Sequence, residues 1–166
     1  VAAAILLAAA PVNPAFSALP DGASSLNETY QDWRVTCVSD GTTDRCAMIH
    51  SQVAKDSGQR VLTIELNAPA TDRAQGMLIM PFGLALAKGV TMTIDTDGTG
   101  ATFGFSTCLP QGCLVPIEFD ANMLERLKNG GVLHIMATPI DGSDRIDISA
   151  SLKGFTAAFN RLNALR

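Results

Sequence analysis

The sequence predicts a mainly β fold, an antiparallel sandwich or closed barrel carrying one or two short helices. Three observations point there. About eight or nine short runs have strand character, polar turn residues punctuate them, and helical periodicity is confined to two segments, one opening at Asp120 and one over residues 155–162. No internal repeat, low-complexity tract or linker divides the chain, which reads as one domain.

Residues 1–18 carry no charge. The first ten are Val, Ala, Ile and Leu only, followed by Pro11, Pro14 and small residues around Ser17. This is the pattern of the apolar half and cleavage region of an export signal. Cleavage after Ser17 puts small residues at both contact positions, and the apolar run is shorter than the ~20 residues a membrane span needs. With no initiator Met and no basic leader, the sequence reads as starting inside the signal. Residues 19–31, polar with Gly and Ser, are expected to form a flexible lead-in to a domain over residues 32–166.

Trp33, Val35 and Cys37 alternate with Arg34, Thr36 and Val38, a strand with one buried face. Ala47, Met48 and Ile49 continue toward Val53, and residues 55–58 read as a turn. Residues 61–66 make another strand, which Ala68-Pro69 should end because proline removes a ladder donor and restricts its predecessor. Residues 76–89 are largely apolar and broken by turns at Pro81-Phe82-Gly83 and Lys88-Gly89. Val90, Met92 and Ile94 then alternate with threonines, and residues 95–98 close that strand. Residues 102–107 and 114–119 are expected to form a hairpin around the second cysteine loop.

A helix is predicted from Asp120, whose side chain can accept an N-terminal backbone hydrogen bond. Met123, Leu124 and Leu127 form its apolar face, and Gly130 offers the C-terminal cap. Residues 132–137 and 145–152 should pair around a turn at 139–144. Phe155, Phe159 and Leu162, spaced by four and three, mark a short packed helix.

Twelve Lys and Arg against sixteen Asp and Glu give a net charge of −4, all of it beyond residue 18. With no basic run, one Trp and one Tyr, nothing points to nucleic acid. Four cysteines allow three complete pairings. Cys37 and Cys46 enclose Asp40-Gly41, while Cys108 and Cys113 enclose Leu109-Pro110-Gln111-Gly112, so both intervals read as turns between strands and the local pairs are expected. Neither has the C-x2-C spacing of a zinc site, and export favours oxidation. Such short loops add about a few kcal/mol each in an entropic account, pinning hairpins rather than creating the fold.

Chemistry-bearing residues are sparse. His50 and His134 belong to no close metal array. Imidazole and thioether together suit copper or zinc, but the methionines sit mainly among Ile, Leu and Val, where they fill core gaps. Asp95 and Asp97 before Gly98 lack the further oxygens of a calcium loop, and Asp141, Asp144 and Asp147 read as a solvated acidic turn. No Gly-x-Ser-x-Gly elbow or phosphate-binding glycine pattern occurs. No catalytic residue, cofactor or metal is assigned, and the chain reads as a non-enzyme. The candidate contact surface is instead residues 77–89. Leu78, Met80, Phe82, Leu84 and Leu86 form an exposed ridge if the Pro/Gly turns lift them from the core, and otherwise close one side of the sandwich. Trp33 could anchor a partner, but its alternating context favours the core.

An ordered set of motifs runs through the chain: Trp33-Arg34-Val35-Thr36-Cys37, Cys46-Ala47-Met48, Pro81-Phe82-Gly83-Leu84 through Gly89-Val90, and Ile94-Asp95. Phe105-Ser106-Thr107-Cys108-Leu109-Pro110-Gln111-Gly112-Cys113, Ser151-Leu152-Lys153-Gly154-Phe155 and Ala158-Phe159 complete it. In these the chain resembles the invasion-associated locus B family over nearly all of its length after the signal. The resemblance implies an exported bacterial protein with an immunoglobulin-like β-sandwich, similar to proteins associated with host-cell invasion in pathogens. It carries no catalytic constellation across. The leading reading is a protein of the periplasm or outer-membrane surface that binds another envelope protein through loops or an apolar edge. A structural envelope component without a specific ligand is the alternative, followed by a small-molecule or metal-binding module. Partner identity, oligomeric state and peripheral membrane association stay open.

Overall fold

Alternating burial along the strands builds two antiparallel sheets in the computed structural model, which describes residues 19–96, 98 and 100–166. The expected signal over residues 1–18, with its cleavage point, and Asp97 lie outside the described residues. The strands are β1 (Ser25–Tyr30), β2 (Trp33–Ser39), β3 (Asp44–Val53), β4 (Arg60–Ala70), β5 (Arg73–Met80), β6 (Val90–Ile94), β7 (Ala101–Phe103), β8 (Thr107–Leu109) and β9 (Gly112–Phe119). Helix α1 (Ala121–Asn129), strands β10 (Val132–Ala137) and β11 (Ile146–Ser151), and helix α2 (Phe155–Ala164) follow. One sheet runs β1-β2-β3-β4-β5-β9-β8 and the other β11-β10-β6-β7. This is the mainly β, two-layered antiparallel sandwich with two short helices that the sequence predicts.

The inner faces and both helices join one apolar core in which Trp33, Phe119, Phe155 and Phe159 are the bulkiest buried side chains. Helix α2 lies against β1 to β4, and α1 against β5 and β9. Asp120 caps α1, its carboxylate accepting from the Met123 N–H at 2.8 Å, and Leu124 and Leu127 are buried. Gly130 ends that helix for a steric reason. Its φ is an ordinary −82°, but a Cβ there would lie 2.4 Å from the Ile94 side chain. The disulfides join Cys37 to Cys46 and Cys108 to Cys113, each pair directly opposed across a hairpin.

Four expectations need correction. The lead-in at 19–31 is ordered, because β1 pairs with β2 from Ser25↔Val38 to Tyr30↔Trp33. Its inward positions include Glu28, whose charge is matched from α2. Pro69 does not end its strand: β4 runs to Ala70 through a register shift between Asn67 and Ala70, where a missing donor costs no ladder bond. Residues 102–107 are not one strand, since β7 pairs with β6 while β8 pairs with β9, and the chain changes sheets between them. The number of strands rises accordingly to eleven among the described residues.

Arg161 clamps α2 onto β1. Its guanidinium donates to both Glu28 oxygens at 2.8 and 2.9 Å, and the Tyr30 hydroxyl donates to Glu28 at 2.8 Å. The Arg161 bonds hold the Glu28 carboxyl below its ordinary range against the opposing effect of desolvation, and the Tyr30 bond adds to them. Because the folded value is depressed, this contribution is present above the unfolded-state value of ~4.3 and is lost as pH falls through the folded one. Glu28→Gln is therefore expected to lower the melting temperature at pH 7 by about 2–4 °C. Its stability should also fall less steeply below pH ~4.3, as thermal melts across an acid series would measure; parallel acid profiles for the two proteins would contradict the clamp.

Candidate functional site

Strand β5 decides the fate of the apolar segment. Its side chains alternate between faces, so Leu78 and Met80 point into the core and are buried. Leu84 is buried as well, held by a bridge to Pro139. Three of the five ridge residues are therefore core. Phe82 and Leu86 remain exposed, at 61 and 42%. The Pro81-Phe82-Gly83 turn forms, with Gly83 at φ +85°, but the loop is tied down rather than lifted. The Ala85 N–H donates to the Thr138 carbonyl and the Ile140 N–H to that of Gly83, both at 2.8 Å.

The residues between the buried ones make the surface. Met77 and Ile79 face outward from β5, opposite Pro116 and Leu114 of β9. Together they line an open trough of about 720 Å³, whose lining also includes Glu65, Gln75, Gln111 and Glu118. Glu118 is paired with Arg73 at 3.4 Å in an exposed, weak contact. Met77 and Ile79 lie within the expected contact segment 77–89 but not among its five ridge residues, although the polar Gln75 and Arg73, two and four positions before Met77, mark the outward phase of the strand.

Polar constellations elsewhere resolve into structural roles. His134, Asp147 and Ser149 meet on the outer face of β10 and β11, but the Asp147 carboxylate at 2.7 Å and the Ser149 hydroxyl at 3.4 Å share one ring nitrogen, Nδ1. A nucleophile relay needs serine and carboxylate on opposite nitrogens. His50 is buried with both nitrogens used. The Asp32 carbonyl can only accept, so Nδ1 donates to it at 2.9 Å and Nε2 accepts from the Gln52 amide at 3.0 Å. The same amide donates to the Ser149 carbonyl at 2.7 Å, tying β11 to β3. Asp95 accepts from the Gly131 and Val132 N–H groups. Asp141 accepts from the Ser143 N–H, the main cause holding its carboxyl below the ordinary range. Among the described residues no three His, Cys, Asp or Glu side chains gather into a metal-binding group.

The outward surface and the two stapled hairpins lie within residues 33–163, the stretch that matches the family model described as Invasion associated locus B (IalB) protein. The chain belongs to the invasion-associated locus B family. An invasion protein B homolog of Brucella abortus is 49% identical over 152 residues, covering 91% of this chain and 87% of the relative. Invasion protein B of Bartonella bacilliformis is 32% identical over 160 residues, covering 95% and 85%. The crystal structure of invasion associated protein B from Bartonella henselae superposes with a TM-score of 0.78 at 32% identity, covering 84% of this chain and 96% of that one. The family is named for invasion and not for an enzyme activity. Strand β1 precedes the matched stretch, so the Glu28 clamp on α2 comes from outside it. Two disulfides suit an oxidising compartment, and no helix among the described residues is long and apolar enough to cross a membrane.

Proposed function

We propose that this invasion-associated locus B family member is an exported envelope protein, placed in the periplasm or at the outer membrane, that binds another protein in the β4–β5–β9 trough. The carrying observation is the apolar floor of Met77, Ile79, Leu114 and Pro116 beside the carboxylates of Glu65 and Glu118. That combination fits a partner segment presenting apolar side chains flanked by cations. The disulfides and the apolar, uncharged N-terminal run support export, and the relatives are named for invasion and not for an enzyme activity. Ile79→Arg puts a charge on the floor without touching the inner face. It is expected to reduce crosslinked partner capture in intact cells at least ~10-fold, a loss of about 1.4 kcal/mol, with an unchanged urea midpoint. Undiminished capture at equal stability would remove the trough from the interface. A structural envelope role is the second reading, favoured by the two hairpin staples, and there a deletion strain would lose envelope integrity while crosslinking yields no defined partner.

A further inference from the structure

The loop end of the sandwich differs in shape from the trough. Three loops meet there. The β5–β6 loop carries Phe82 and Leu86, the β10–β11 turn carries Ile140 at 74% exposure, and the β8–β9 turn carries Leu109 at 42%. The first two are zipped together through Ala85 to Thr138 and Ile140 to Gly83. The third sits against the end of β5, since a Cβ on Gly112 would lie 2.5 Å from the Met80 carbonyl, and the Cys108–Cys113 disulfide closes it.

We propose that this end docks into a lipid surface, with Phe82, Leu86, Leu109 and Ile140 entering the headgroup and upper acyl region. The four side chains stand on three loops, Phe82 and Leu86 sharing one, and together they expose roughly 400 Å² of apolar surface, about half of what one side of a standard protein interface takes. A bilayer accepts separate prongs without needing a matched pocket for each. Entry into lipid also requires that backbone groups be satisfied internally. Each loop contains a proline, Pro81, Pro110 or Pro139, with no N–H to desolvate. The Lys88, Gly89 and Gly142 N–H groups donate to carbonyls of their own loops, and those of Ala85 and Ile140 donate across to the neighbouring loop. The charges fit one class of surface. Lys88 and Arg145 are offset by Asp141 and Asp144 in these loops, a balanced set that complements zwitterionic headgroups and gives no net pull toward anionic ones. Docking is thus expected to be apolar, reversible and weak, with half-binding near 0.1 mM lipid, the order found for a single acyl chain.

Co-sedimentation of the full chain with phosphatidylcholine vesicles, with and without phosphatidylglycerol and at low and high salt, tests this. Wild-type protein should pellet with pure phosphatidylcholine at both salt concentrations. Phe82→Ser combined with Ile140→Ser should reduce binding at least ~10-fold, whereas Val38→Ser, an equally exposed position on the opposite β2–β3 end at 64%, should not. Circular dichroism melts keep a folding defect from imitating the loss. A Phe82→Trp variant gives an independent readout, its emission shifting blue on vesicles. No pelleting of folded wild-type protein, equal pelleting of the double variant, or binding that needs phosphatidylglycerol and disappears in salt would overturn the proposal. So would a concentration-dependent dimer, abolished by the double variant, in a protein that ignores vesicles. Ile79→Arg leaves these loops intact, so trough capture and lipid binding fail separately.

Discussion

Gly154→Ala is expected to lower the unfolding free energy by about 3 kcal/mol or more, among the largest losses any single methyl could cause in this chain. Two independent penalties fall on one atom. Gly154 opens α2 at φ +86°, the left-handed region that costs a non-glycine residue about 1–2 kcal/mol. Its added Cβ would also lie 1.9 Å from the Tyr30 carbonyl oxygen, so the start of α2 or the β1–β2 turn must move. That turn is itself constrained, with Gln31 at φ +54° and the Asp32 N–H bonded to the Lys153 carbonyl at 3.3 Å. Gly83→Ala separates the two penalties, because Gly83 has a matching φ of +85° but open space around its Cβ. It should lose only about 1–2 kcal/mol. Urea unfolding followed by the fluorescence of the single tryptophan measures both, and equal losses at the two sites would show that the close approach to Tyr30 carries no energy.

What the sequence disclosed depended on contrast between neighbouring residues. Trp33, Val35 and Cys37 alternate with partners of different polarity, so the phase of β2 was readable. Around Asp120, Leu124 and Leu127, cap and periodicity agreed, and the helix follows from local chemistry. Residues 77–80 are Met-Leu-Ile-Met, apolar in both phases, and a one-residue change of phase exchanges every side chain between core and surface. The ridge therefore mixed faces: Phe82 and Leu86 were legible as exposed, whereas Leu78, Met80 and Leu84 belong inside. Strand β1 was hidden for another reason. An edge strand with Glu28 at an inward position looks like polar leader until Arg161, 133 residues away in sequence, supplies the partner. The split of residues 102–107 between sheets, and the joining of Leu109 and Ile140 to Phe82 at one end, are products of strand order, which local periodicity does not encode.

Trp33→Ala is expected to be the other severe change, costing about 3–5 kcal/mol as a large aromatic is removed from a packed site. The indole is 1% exposed, meets Phe155 edge-on at 5.0 Å and lies 5.3 Å from His50. Beyond filling space, its Nε1–H donates to the Ser151 carbonyl at 3.0 Å. Beside it, Gln52 donates to the Ser149 carbonyl, so two side chains of the large sheet serve the carbonyls of β11, an edge strand of the small one. Edge strands need such cover to avoid pairing with other chains. Trp33→Phe retains most of the volume but leaves the Ser151 carbonyl without its donor, a loss of about 1–3 kcal/mol. The alanine variant should reduce stability throughout the core, while the phenylalanine variant should raise amide exchange mainly in β11. Circular dichroism melts with residue-level hydrogen exchange distinguish these outcomes. Wild-type exchange along β11 in Trp33→Phe would mean that packing against Phe155, and not the indole hydrogen bond, holds that edge closed.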